Sequence, residues 1–110
     1  MNKLIEVIIV DDCSTVNYTE VYNNFTDLNL TILKPDQNSG PGVCRHIGVD
    51  KAIGKYITFI DSDDRFSDST SLQRLYAFAL ANPDMDMVCG QTIEELKDGT
   101  TYTHLKSFIW

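Results

Sequence analysis

The sequence predicts an α/β protein, with a mostly parallel sheet flanked by helices and a hairpin near its C-terminus. Three observations carry this reading. Short apolar runs alternate with segments of helical periodicity, the pattern of parallel strands joined by right-handed crossovers. Two of those runs end directly in acids: Asp11 and Asp12 follow the first, and Asp61, Asp63 and Asp64 follow residues 56–60. Between them lies a loop dense in turn formers, residues 36–42, which opens a helical stretch.

Taken in order, residues 4–10 are almost continuously apolar apart from Glu6 and read as a mostly buried strand. Ser14 and Thr15 can cap a helix in which Tyr18, Val21, Tyr22 and Phe25 recur at i, i+3, i+4 and i+7. A short strand over 30–33 is stopped by Pro35, and the 36–42 loop leads into a helix over 43–53. Gly54 sits where a helix C-terminus would use it. Residues 56–60, Tyr-Ile-Thr-Phe-Ile, have the β-branched and aromatic composition of a buried strand. Residues 68–71 start a helix that places Leu72, Leu75, Tyr76 and Ala79 on one stripe and closes before Pro83. Residues 85–89 read as a last core strand. Lys97, Asp98 and Gly99 form a turn between hairpin arms 91–96 and 100–105.

At 110 residues the chain holds one domain and one core, a single nucleotide-sugar-binding unit in the reading developed below. Its composition, 43% hydrophobic and 23% charged, is that of a globular protein. A formal net charge of −7 argues against nucleic-acid and anionic-membrane partners, which want a basic face. No apolar run is long enough to span a membrane, and Glu6 interrupts the first one, so it does not read as a signal peptide. Cys13, Cys44 and Cys89 have neither metal-ligand nor disulfide-framework spacing. They read as small buried or semi-buried residues in a reducing, cytoplasmic setting.

The acids after residues 56–60 are the most informative feature. If both acid-tipped strands run parallel in one sheet, Asp11/Asp12 and Asp61/Asp63 fall on the same carboxyl edge, where open α/β sheets bind ligands. Three carboxylates within four residues repel one another unless a cation sits among them. A hard divalent ion, Mg²⁺ or Mn²⁺, shared with a phosphate, suits that donor set.

Residues 7–15 (Val-Ile-Ile-Val-Asp-Asp-Cys-Ser-Thr), 38–48 (Asn-Ser-Gly-Pro-Gly-Val-Cys-Arg-His-Ile-Gly) and 52–64 (Ala-Ile-Gly-Lys-Tyr-Ile-Thr-Phe-Ile-Asp-Ser-Asp-Asp) resemble the linked motifs of the family 2 glycosyltransferases, in order and in spacing. The resemblance implies a partial GT-A (Rossmann-like) domain and transfer of a sugar from a nucleotide-diphospho-sugar donor to an acceptor that is a saccharide, lipid or protein. It implies that Asp12 contacts the nucleotide base, that Arg45 approaches base and phosphates, and that Asp61 and Asp63 are the Asp-x-Asp pair. Of that pair, Asp61 touches the ribose and Asp63 holds the divalent metal bridging the phosphates. Asp64 takes a supporting place.

Each assignment has a plainer competitor. Asp12 can cap a helix starting near Ser14, Arg45 can be a solvated helix residue or pair with Asp61, and Gly40 and Gly42 can serve only to start a helix. His46 and His104 read as surface or packing residues. The chain also departs from the family pattern. It opens on what is normally the second strand, so the usual central strand is missing and unpaired edges invite a homo-oligomer. The acceptor-binding half with its acidic general base is not recognisable, so the catalytic residue is unknown and the chain reads as a fragment with donor-binding residues only. Two other classes compete: a non-catalytic nucleotide-binding or interaction module, and a nucleotidyltransferase, which would want a Gly-rich basic loop directly after its first strand. A haloacid-dehalogenase-like phosphatase would want its Asp-x-Asp after the first strand rather than here.

Overall fold

The computed structural model describes residues 5–104. The chain divides into two compact units, Met1–Phe59 and Ile60–Trp110.

In the first unit, β1 (Glu6–Val10) pairs in parallel with β2 (Asn29–Leu33), in a register that sets Glu6 opposite Asn29 and Val10 opposite Leu33. The ladder runs one step further, with the Asp11 N–H donating to the Leu33 carbonyl at 2.8 Å. A short helix, α1 (Thr19–Asn23), lies between the two strands in sequence. The longer helix α2 (Pro41–Lys51) packs on β1, with Gly48 close enough that an added Cβ would meet Val10 Cγ2 at 3.6 Å. Pro41 at the first position suits the start of a helix, since it has no N–H to leave unbonded. Cys44 on α2 is the buried residue of this packing. Glu6, the acid that breaks the first apolar run, anchors a helix exit. Its Oε1 accepts the Ile53 N–H at 3.0 Å, tying the end of α2 to the start of β1.

The second unit holds α3 (Ser71–Ala81) and an antiparallel hairpin, β3 (Thr92–Glu95) with β4 (Thr101–His104). Asp68 organises the entry to α3. Its Oδ1 accepts the Thr70 N–H at 2.9 Å and the Thr70 and Ser71 hydroxyls at 2.8 and 3.1 Å, and its Oδ2 meets Arg74 at 3.0 Å. The hairpin turns through Gly99 at φ 85°, a left-handed conformation that favours glycine, and the Asp98 carboxylate accepts the Thr100 N–H.

An α/β fold with a parallel pair and a C-terminal hairpin is therefore present, but several elements differ from expectation. Residues 56–60 and 85–89 are not strands. Both have strand composition, yet a strand exists only where a neighbour completes its hydrogen-bond ladder, and among the described residues neither has one. Their side chains stand open to solvent instead, with Ile57, Phe59, Met85 and Met87 all exposed. The first helix begins at Thr19 rather than near Ser14, because Asn17 Oδ1 takes both the N–H and the hydroxyl of Thr19 and holds the preceding turn out of the helix. The α2 helix ends at Lys51, and Gly54 lies beyond its extended C-cap, Ala52. Cys89 is exposed rather than buried, since the strand that would have covered it does not form. The expected strand start at Leu4 and hairpin end at Leu105 lie outside the described residues.

Candidate functional site

The first unit places its candidate residues at the carboxyl end of β1. Asp11 accepts the Ser14 N–H on Oδ1 at 2.8 Å, and the bonds from Ser14 hold its carboxyl below the usual carboxylate range. The chain then turns tightly about Asp12, with the Cys13 N–H donating to the Asp11 carbonyl at 2.8 Å. Cys13 sits at φ 61°, a left-handed conformation unusual for a side chain with a Cβ, and its thiol donates to the Pro35 carbonyl at 3.2 Å. This turn aims the Asp12 carboxylate at the Gly-rich loop. Oδ1 accepts the Ser39 N–H at 2.7 Å and Oδ2 accepts the Gly40 N–H at 2.8 Å, while Asn38 Nδ2 donates to the Asp12 carbonyl at 3.3 Å.

Asp12 thus clamps the loop that enters α2. Gly40 permits it by adopting φ 86° at the helix N-cap. The Ser39 amide, followed by that of Gly40, holds the Asp12 carboxyl below its ordinary value. On α2, burial first and then the Asp12 charge push the Cys44 thiol up. Asp12 does cap a helix, but its target is α2 rather than a helix near Ser14. Local spacing could not reveal a partner 27 residues away. Arg45 follows Cys44 on α2 and is exposed, and His46 pairs with Asp50 one turn on at 3.4 Å. An open cleft of about 460 Å³, lined by Asp11, Ser14, Tyr18, Tyr22 and Lys34 among others, adjoins the same strand ends. No motif marks it, since it arises where α1 and the segment before it face the ends of the strands.

In the second unit, Asp61, Asp63 and Asp64 share a turn closed by the Asp64 N–H donating to the Asp61 carbonyl at 3.0 Å. One carboxylate oxygen from each lies within 4.8 Å of the others, and all three residues are exposed. Arg65, next in sequence, is directed to Glu95 at 3.0 Å.

Comparison with known proteins settles what kind of chain this is. The model of glycosyl transferase family 2 matches residues 1–110, the whole chain. This chain belongs to glycosyl transferase family 2. Among its relatives is an uncharacterized glycosyltransferase of Haemophilus influenzae, 41% identical over 80 residues, which are 71% of this chain and 32% of the relative. The glycosyltransferase GlyG of Streptococcus pneumoniae is 32% identical over 104 residues, 92% of this chain and 34% of that protein. The poly(ribitol-phosphate) beta-N-acetylglucosaminyltransferase TarS of Staphylococcus aureus is 37% identical over 67 residues, 59% of this chain and 12% of TarS. The chain therefore spans about a third or less of the length of these relatives. No solved structure matches it.

The family implies a divalent metal, and the 61–64 turn is chemically suited to one. It offers three hard carboxylate oxygens at a spacing one small cation can bridge, and like charges that close gain most from a cation between them.

Proposed function

We propose that this family 2 glycosyltransferase chain binds a nucleotide-diphospho-sugar donor, whose sugar is transferred to a saccharide, lipid or protein acceptor. Asp12, Arg45 and Asp61 meet the nucleotide sugar, and Asp63 holds Mg²⁺ or Mn²⁺ with Asp64 in support. The observation that carries the reading is the turn at 61–64, whose convergent carboxylates end one of the three family motifs.

Each of these residues has chemistry suited to its part. Asp61 accepts hydrogen bonds from ribose hydroxyls. The Arg45 guanidinium offers paired donors to phosphate oxygens. Asp12 keeps the 38–40 loop in place by accepting the Ser39 and Gly40 amides, with the Cys44 thiol also bonded to it, and a carboxylate's remaining acceptor capacity can meet the base. The metal, when bound, neutralises charge that develops on the diphosphate as the glycosidic bond breaks. No residue is assigned as general base, so the activity placed on these residues is donor binding.

Calorimetric titration with UDP and Mn²⁺ tests the reading. The wild-type chain binds, and Asp63→Ala weakens binding at least about tenfold, a loss of about 1.4 kcal/mol. Equal binding by both proteins would overturn the assignment.

A further inference from the structure

The open cleft beside the end of β1 has a lining that donor binding leaves unused, and every residue of that lining falls within the first unit. The Tyr22 N–H donates to the Tyr18 carbonyl at 3.0 Å, the first bond of α1, so the two side chains stand one helical turn apart. Their ring centroids are 6.3 Å apart and the planes meet at 43°, giving two angled aromatic surfaces. Tyr18 is exposed and Tyr22 half-buried. Burial first, and then the Asp11 charge, push the Tyr22 hydroxyl up, so it stays a neutral phenol. Asn17 turns its Oδ1 to Thr19, 3.0 Å from the N–H and 2.6 Å from the hydroxyl, which leaves its amide nitrogen as the group it offers. Ile32 adds an apolar surface from β2, and Lys34 follows just past the end of that strand. Asp12 is not part of the lining, since its carboxylate is bonded to the Ser39 and Gly40 amides.

The charge of the lining narrows the class of ligand. It contains one acid, Asp11, and one base, Lys34, so it is balanced within a chain of net charge −7. A phosphate-bearing ligand wants a surplus of cations, and a quaternary ammonium wants a surplus of acids behind its aromatic walls. Seven of the eleven lining residues carry a neutral hydroxyl or amide, which favours a neutral ligand dense in hydroxyls. A pyranose has that chemistry on its rim, and the C–H groups of its faces carry partial positive charge that settles on the negative face of an aromatic ring. The volume, about 460 Å³, lies in the range of small-molecule sites. We propose that this cleft is a binding site for a neutral saccharide, with a sugar face against Tyr18 and Tyr22 and hydroxyls bonded to Asp11, Asn17 and Lys34. The site shares no residue with the proposed donor site and does not depend on it.

Amide chemical shifts of the isotope-labelled whole chain, titrated with cellobiose, maltose and N,N′-diacetylchitobiose to about 20 mM, test it. At least one of these disaccharides is expected to bind with a Kd of about 1–10 mM and to shift amides within 11–23 and 32–34. Tyr18→Ala should weaken that binding at least about fivefold, whereas Tyr18→Phe keeps the aromatic face and should stay within about twofold of the wild type. Asp63→Ala should leave the disaccharide titration unchanged, and Tyr18→Ala should leave the titration with UDP and Mn²⁺ unchanged, so either site can fail without the other. No shift with any of the disaccharides overturns the proposal. So do shifts centred outside the cleft, and so does a Tyr18→Ala chain that binds as the wild type does. Inorganic phosphate or choline shifting the cleft amides at lower concentration than every disaccharide overturns it as well.

Discussion

At the end of β1, Asp12 engages amides 27 and 28 residues further along the chain, at Ser39 and Gly40. In the 61–64 turn the bond that shapes the loop, Asp64 N–H to Asp61 carbonyl, spans only three residues. Both are clusters of acids, and both are candidate ligand sites on sequence grounds, yet they are organised in opposite ways. The Asp12 carboxylate is already hydrogen-bonded, and its charge is stabilised by fixed N–H dipoles. The 61–64 carboxylates are exposed and repel one another, so a cation placed among them would add to their order. The first region is a prearranged framework, and the second, on the proposed reading, closes about a cation. Local stability is expected to differ accordingly, with the 61–64 turn at the low end until it is filled.

The largest effect that would sharpen this contrast is differential protection on metal binding. Adding Mg²⁺ should slow amide exchange across 61–64 at least about tenfold at saturating concentration, while leaving 38–40 unchanged. Equal protection of both segments, or of neither, would break the contrast.

Acid should act the other way round. The folded-state pKa of Asp12 is depressed, so its contribution to stability is complete above the ordinary carboxylate pKa of about 3.9 and is lost as pH falls through the depressed value. Amide exchange at Ser39 and Gly40, corrected for intrinsic rates, should therefore accelerate as pH falls below about 4. Asp12→Ala should show the fast behaviour at neutral pH, with Asp12→Asn between the two. An exchange rate at these amides that ignores both pH and substitution would mean that the clamp contributes nothing.

A smaller effect is expected at Gly40. An added Cβ there meets no atom within 4 Å, so Gly40→Ala carries only the cost of a left-handed φ of 86°. Because the Gly40 ψ of 164° puts it in a region almost confined to glycine, urea unfolding should show a loss on the order of 1–3 kcal/mol, and a neutral result would show that the loop relaxes out of that conformation.

How far the sequence could be read divides along the same line. The parallel pair β1 and β2, the helix entered at Pro41, the helix before Pro83 and the hairpin around Gly99 were all legible, because apolar periodicity and turn residues act locally. The acid triad was legible for the same reason, since three carboxylates in four residues come together whatever surrounds them. Residues 56–60 and 85–89 misled because composition records a willingness to pair, whereas a strand also needs a neighbour. The Asp12 clamp, the Glu6 tie to Ile53 and the left-handed Cys13 left no local trace. Each depends on which distant segment the fold brings alongside, and a single chain without its contacts does not encode that in spacing.

The tie between Glu6 and Ile53 also has a bearing on biosynthesis. The two residues are 47 positions apart, and β1 needs both β2 and the exit of α2 before its own contacts are complete. At translation rates of about 5–20 residues per second, Ile53 follows Glu6 out of the ribosome by roughly 2–9 s. During that interval the apolar run of β1 is nascent chain without its partners. A chaperone that binds extended apolar segments would meet this protein at β1, and would be released once α2 has closed over it.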